Sequence, residues 1–218
     1  QVRFKGMADA DMLEAIRLDV LSGGYWLIHY DGYDAYAPGD NVVHLFVMGA
    51  LAQEAAQASH MLLEQGIYAN VAIVNSPDLL IGTLGRETAY SHLRQNLGVT
   101  GNLFLSPTGT KEIASRADFL AMRGSRIPIV AICDGEPGHL DNIGSIVGTP
   151  QDTLAVRKHS KSGKPTDVYQ YHHMDPQSIA QAAVAMLEQA ASEEILIKPI
   201  VLEEVQSGWH QAGREKGY

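Results

Sequence analysis

The sequence predicts an α/β fold of three layers, with helices on both faces of a mostly parallel sheet of about five strands. Three observations predict it. Two apolar runs of strand length, "NVVHLFVMG" (41–49) and "IYANVAIVNSPD" (67–78), read as buried strands. Between them "ALAQEAAQASHMLLEQG" (50–66) has amphipathic helical spacing and a glycine stop at Gly66. The joining turns are short, so strand, helix and strand form a right-handed βαβ unit with parallel strands.

The other elements follow in order. Asp9 or Asp11 is placed to cap a helix whose apolar positions Met12, Ile16 and Val20 recur at i, i+4, ending at Gly23-Gly24. "YWLIHYDGYDAYAPGDN" (25–41) reads as an aromatic, turn-rich passage. After the βαβ unit, "GTLGRETAYSHLRQNLG" (82–98) and "TKEIASRADFLAMRG" (110–124) have helical spacing, with Thr110 as a cap for the second. "VTGNLFLSPTG" (99–109), between them, reads as a loop or a small insertion. A third strand is expected in "RIPIVAICDG" (126–135), a short helix around "HLDNIGSIVG" (139–148), and a fourth strand in "DTLAVRKH" (152–159). A short helix near Thr166–Tyr171 leads to a longer one from about Pro176, where Asp175 caps and Pro176 takes the first helical position. The tail from Ser192 is charged and holds one apolar segment, "ILIKPIVL". The divisions expected are 1–40 as linker helix and lead-in, 41–191 as the domain, and 192–218 as the tail.

Composition excludes several function classes. At 218 residues the chain is long enough to bury a substantial core. A formal charge of −9, with no concentrated basic surface, argues against nucleic acid. The single cysteine, Cys133, cannot form an internal disulfide and suits a reducing, cytoplasmic compartment. No apolar run reaches the ~20 residues a membrane span needs. The chain begins at Gln1 without a methionine and is expected to be a fragment or processed piece of a longer protein.

Candidate chemistry is sparse. His172 and His173 are adjacent, and neighbours on a helix point about 100° apart, so they do not easily ligate one metal together. The expectation is that they end a helix ahead of a cap. Cys133 lies at the carboxyl end of a strand near His139, which invites a nucleophile, but Asp134 and Glu136 would raise its pKa. It is therefore expected to be a buried structural thiol. The loop "CDGEPGHLDNIG" lies where open α/β sheets gather ligands, and Asp134, Glu136, His139 and Asp141 there suit acid–base or metal roles, or simply solvation. No Gly-x-Gly-x-x-Gly, Walker or Gly-x-Ser-x-Gly pattern follows any strand. No catalytic, cofactor-binding or metal residue is assigned.

In their order and spacing, several segments together resemble the C-terminal domain of the transketolase-like thiamine enzymes. The nearest likeness is to the homodimeric decarboxylating component of pyruvate (2-oxoacid) dehydrogenase complexes. "DMLEAIRLDVLSGGYWL" is similar to that family's linker helix, and 41–80 to its first βαβ unit. "RIPIVAICDG" resembles the next strand, and "KHSKSGKPTDVYQYHHMDPQSI" the segment in which Phe-Gly-x-Ser-Gly leads to a helix starting after Asp. Here His159-Ser160 replace Phe-Gly, and His172-His173 replace an aromatic and a small residue. The likeness runs from about Asp9 to Gln189.

The resemblance implies a structural and dimer-organising module of an enzyme that decarboxylates a 2-oxoacid and passes the acyl group to a lipoyl carrier. The alternatives are the same domain of a transketolase or other thiamine-dependent transferase, or a non-enzymatic stand-alone binding module. Thiamine diphosphate and Mg²⁺ would be held by two preceding domains, through a Gly-Asp-Gly…Asn motif and an activating glutamate that this sequence lacks. The chain alone is expected to be inactive and to bind neither. Implied partners are a second copy, the preceding thiamine-binding domains and an acyltransferase component. A two-fold surface is expected around "CDGEPGHLDNIGSIVG" and "DTLAVRKH", with close approach at Gly138, Gly144 and Gly148 and with Ile143 inside the contact.

Overall fold

The computed structural model describes residues 10–81 and 127–196. In chain order these form α1 (Ala10–Leu21), β1 (Gly24–Ile28), β2 (Val42–Met48), α2 (Ala52–Leu63), β3 (Tyr68–Val74) and α3 (Pro77–Ile81). After residue 126 come β4 (Ile129–Cys133), a 3-10 turn (Pro137–His139), α4 (Ile143–Val147) and β5 (Gln151–Leu154). Two helices complete the described chain, α5 (Pro165–Tyr171) and α6 (Pro176–Leu196).

The five strands make one sheet in the order β1-β3-β2-β4-β5. β2 pairs parallel with β3 on one side and β4 on the other, and β4 pairs parallel with β5. Only β1 is antiparallel, running along β3 from Gly24 opposite Val74, with a register shift between Trp26 and Ile28. The chain thus leaves β2 in one direction and returns to its other side, which makes the β2–β4 boundary the topological switch point.

Both faces of the sheet are covered. On one, Val43, Leu45, Val47, Val71, Val130 and Ile132 pack with α2 and α6, whose small residues Ala55, Ala58, Ala180 and Ala183 are buried in the same cluster. On the other, Phe46, Ala72, Val74, Ala131 and Cys133 pack with Trp26, Leu80, Leu140 and Ile143. Strands sandwiched this way are buried on both faces, and that is why 42–47 and 69–72 read as near-continuous apolar runs, broken only by His44 and Asn70.

Several expectations needed correction. The first part of the turn-rich passage 25–41 instead belongs, with Gly24, to the edge strand β1, in which Trp26 and Ile28 are buried while Tyr25 and Leu27 are only partly so. That alternation is the signature of a strand, masked in the sequence by the turn residues that follow. Asp11 lies inside α1 rather than before it. β5 is only four residues long, and 155–159 continue beyond the ladder. The stretch 139–148 divides into a 3-10 turn and a one-turn helix. α6 continues through Ser192 to Leu196, since neither glycine nor proline interrupts it before Pro199. The helices expected in 82–98 and 110–124 with the Thr110 cap, the passage between them, and most of "ILIKPIVL" lie outside the described residues.

Candidate functional site

The carboxyl ends of β2, β3, β4 and β5 share one edge of the sheet, and the switch point sits at its centre. Gly49 ends β2 with φ +85°, a left-handed backbone that a side chain would strain. A Cβ there would also collide with the Asp134 carboxylate. Asp134 follows β4 and reaches across the switch point, where its Oδ2 accepts the Ala50 N–H at 2.9 Å. Ala50 stands at the entrance of α2, where backbone donors and the helix dipole favour an anion. The protein's own carboxylate fills that role.

The rest of the loop does not converge on a reaction centre. Asp134, Glu136, His139 and Asp141 are all exposed. Cys133 is 1% exposed, and burial pushes its thiol above the ordinary range; the Gly135 N–H opposes this, and the Asp134 charge adds to it. Gly135 donates to Sγ at 3.3 Å. Cys133 is thus a buried, protonated thiol of the sheet, as the neighbouring acids suggested. Among the described residues, no three His, Cys, Asp or Glu side chains are grouped to hold a metal. With the Ala50 N–H already bonded to Asp134, the entrance of α2 does not offer that donor to a diphosphate.

His172 and His173 have separate jobs at the end of α5. His172 is the C-cap residue, and His173 has φ +58°, the one described non-glycine residue in the left-handed region. The His173 N–H donates to the Gln170 carbonyl at 3.1 Å and the Met174 N–H to Tyr169 at 2.8 Å. This pair of bonds is a Schellman motif, usually closed by glycine. Met174 is then buried, and Asp175 accepts from the Gln177 and Ser178 N–H groups at 3.2 Å to start α6. The helix-end expectation and the Asp175 cap both hold. His172 is 6% exposed; its Nε2 lies 3.1 Å from Ser160 Oγ, and its Nδ1 is buried without a partner.

A second polar cluster was missed. His44 on β2 and Asn70 on β3 are register partners, buried in the middle of the sheet. Asn70 Oδ1 accepts the Tyr30 N–H at 2.9 Å, and its Nδ2 donates to Tyr36 Oη at 2.9 Å. This ties the 29–41 passage to the sheet, aided by the Tyr30 hydroxyl 3.1 Å from Ser59 Oγ. Trp26 stacks on His29 at 4.8 Å and tilts against His44 at 5.1 Å. The available signal was one polar residue inside each of two otherwise apolar strands at matching depth.

The expected two-fold surface also changes. Ile143 and Leu140 are fully buried in the chain's own core. Gly144 makes its close approach within the chain, a Cβ there meeting Gln151 Cβ at 2.5 Å, and it donates to Gln151 Oε1. Gly148 serves as the left-handed end of α4. Ile143→Glu would therefore unfold this module rather than probe a contact between copies.

No helix among the described residues is long and apolar enough to cross a membrane. No protein-family profile matches the sequence, and no curated protein matches it. Solved structures similar to the chain include transketolases. The enzyme from Pichia stipitis, in a complex with sedoheptulose 7-phosphate, gives a TM-score of 0.48 at 15% identity over 80% of this chain and 19% of its own. That from Leishmania mexicana gives 0.47 at 9% identity, over 79% and 19%. A split-gene transketolase described as an inactive β4 tetramer gives 0.47 at 12% identity, over 77% and 43%. The chain spans about a fifth of the length of the first two.

Proposed function

We propose that this chain is the C-terminal structural and dimer-organising domain of a thiamine-diphosphate-dependent enzyme of the pyruvate (2-oxoacid) dehydrogenase kind. In this reading 1–40 are the linker helix and lead-in segment, which contributes the edge strand β1, 41–191 are the module and 192–218 the tail. The observation that supports this reading is the order in which the resembling segments fall on one doubly wound sheet. They occupy β2–α2–β3, then β4, then the corner from Lys158 through α5 into α6. The left-handed Gly49 and Asp175, which caps α6, stand at the positions where the resemblance has its glycine and its aspartate.

In this reading the module supplies no reacting group. Its self-filled α2 entrance leaves cofactor binding to the preceding domains, and thiamine diphosphate with Mg²⁺ would provide the carbanion chemistry there. A second copy, those domains and an acyltransferase component are the partners, in the cytoplasm. The test is an assay of the natural full-length protein. Decarboxylation of pyruvate, with transfer to a lipoyl acceptor, supports the proposal. Transfer of two-carbon units between ketose and aldose phosphates would place the domain in a transketolase instead. Neither activity, in a protein no longer than this chain, would favour a stand-alone binding module.

A further inference from the structure

A pocket of about 210 Å³ opens at the carboxyl end of β5, lined by Leu154, Ala155, Arg157, Lys158, His172 and His173 among others. It lies on the edge of the sheet where open α/β folds gather ligands, one strand away from the switch point that Asp134 fills. Its charge is at odds with the chain as a whole. Residues 157–164, "RKHSKSGK", hold four of the 16 lysines and arginines of a protein with net charge −9, and no acid. Lys158 Nζ stands 3.8 Å from the centre of the Tyr171 ring and Lys161 Nζ 4.4 Å, so two ammonium groups converge on one side chain. Tyr171 in turn meets the His172 ring edge-on at 4.9 Å.

His172 supplies an independent reason to expect a ligand. It lines this pocket, is 6% exposed, and has a buried Nδ1 with no hydrogen-bond partner. Buried polar atoms are almost always paired, so an orphan calls for one. In the tautomer in which the Ser160 hydroxyl donates to Nε2, the ring proton sits on Nδ1. Arg157 and Lys158 with the His172 imidazole, and no carboxylate lining the pocket, suit an acceptor-rich anion. The apolar wall of Leu154 and Ala155 leaves room for a small apolar group attached to it.

We propose that this pocket binds a phosphate-sized oxyanion, free or as the monoester of a small apolar or ring-bearing group. Lys158 and His172 are its principal contacts. The test is NMR of the ¹⁵N-histidine-labelled chain, following the His172 imidazole while phosphate or phenyl phosphate is added at constant ionic strength. The expected result is a saturable shift, with a Kd near 1 mM for phosphate, and weakening of about fivefold or more in Lys158→Gln. Lys158 is exposed, so thermal unfolding of this variant should match the parent chain. Tighter binding of phenyl phosphate identifies an ester as the ligand class; equal binding identifies free phosphate. A shift that chloride reproduces, one that never saturates, or one unchanged by Lys158→Gln overturns the proposal and leaves Nδ1 to a water molecule.

Discussion

His44 Nδ1 and Asn70 Nδ2 lie 3.3 Å apart across the β2–β3 pair, both buried between apolar neighbours on the two strands. Asn70 is the hub, because it also holds Tyr30 and Tyr36, while His44 is only its neighbour. The two residues therefore differ in what their loss does. Asn70→Leu would strand the Tyr30 N–H and destabilise the fold by about 1–3 kcal/mol. Urea unfolding measures it, and a loss no larger than in an exposed-site control contradicts the hub.

His44 makes stability depend on pH. Burial first, and the neighbouring His29 second, lower its pKa from 6.5 to about 3. A depressed pKa means that the unfolded chain takes up the proton first. Stability is full above about pH 6.5 and falls as pH drops towards 3, by up to about 1.4 kcal/mol per unit from this residue. His44→Phe, which keeps a ring against Trp26 and Phe46, should flatten the curve between pH 6 and 4 by about one proton. An unchanged slope would show that His44 is not the group that titrates.

At the switch point, Gly49→Ala meets both a left-handed backbone and the Asp134 carboxylate. It should cost about 1–3 kcal/mol. Asp134→Ala alone removes the acceptor for Ala50 and should cost about 0.5–2 kcal/mol, as an N-cap loss does. Combined, the two should cost less than their sum, since the second relieves the clash of the first. A double-mutant cycle in urea with zero coupling would contradict the contact.

His173→Gly should stabilise the chain by about 0.5–1 kcal/mol, because glycine reaches the left-handed position without strain. His173→Val should destabilise it. Thermal unfolding that ranks Val at or above Gly would mean that the Schellman corner does not persist in solution. Next to it, hydrogen bonds from Ser178 and Gln177 hold the Asp175 carboxyl below its usual range, outweighing a burial effect that acts the other way. The cap's contribution is therefore present at neutral pH and lost as pH falls through that lowered pKa.

What was legible in the sequence was whatever a period or a cap announces. The βαβ unit from Asn41 to Asp78 was visible because Val42–Val47 and Tyr68–Val74 are apolar on both faces. The α5–α6 corner was visible because Asp175 and Pro176 are start signals. β1 was not, since an edge strand of five residues followed by Asp31, Gly32, Pro38 and Gly39 reads as a turn. The direction in which a glycine or an isoleucine is used was not legible either. Gly144 and Ile143 look the same in sequence whether they meet a second copy or Gln151 and the core. The Asp134–Ala50 and His44–Asn70 contacts join residues 84 and 26 positions apart, and only the strand order brings them together.

The central claim is that this module belongs to a thiamine enzyme whose cofactor site lies in other domains. It is tested most directly by calorimetric titration of thiamine diphosphate with Mg²⁺ into this chain and, in parallel, into the natural full-length protein. The account predicts no heat of binding with the chain and stoichiometric binding with the full-length protein. Stoichiometric binding to the chain alone, or none to either, contradicts it.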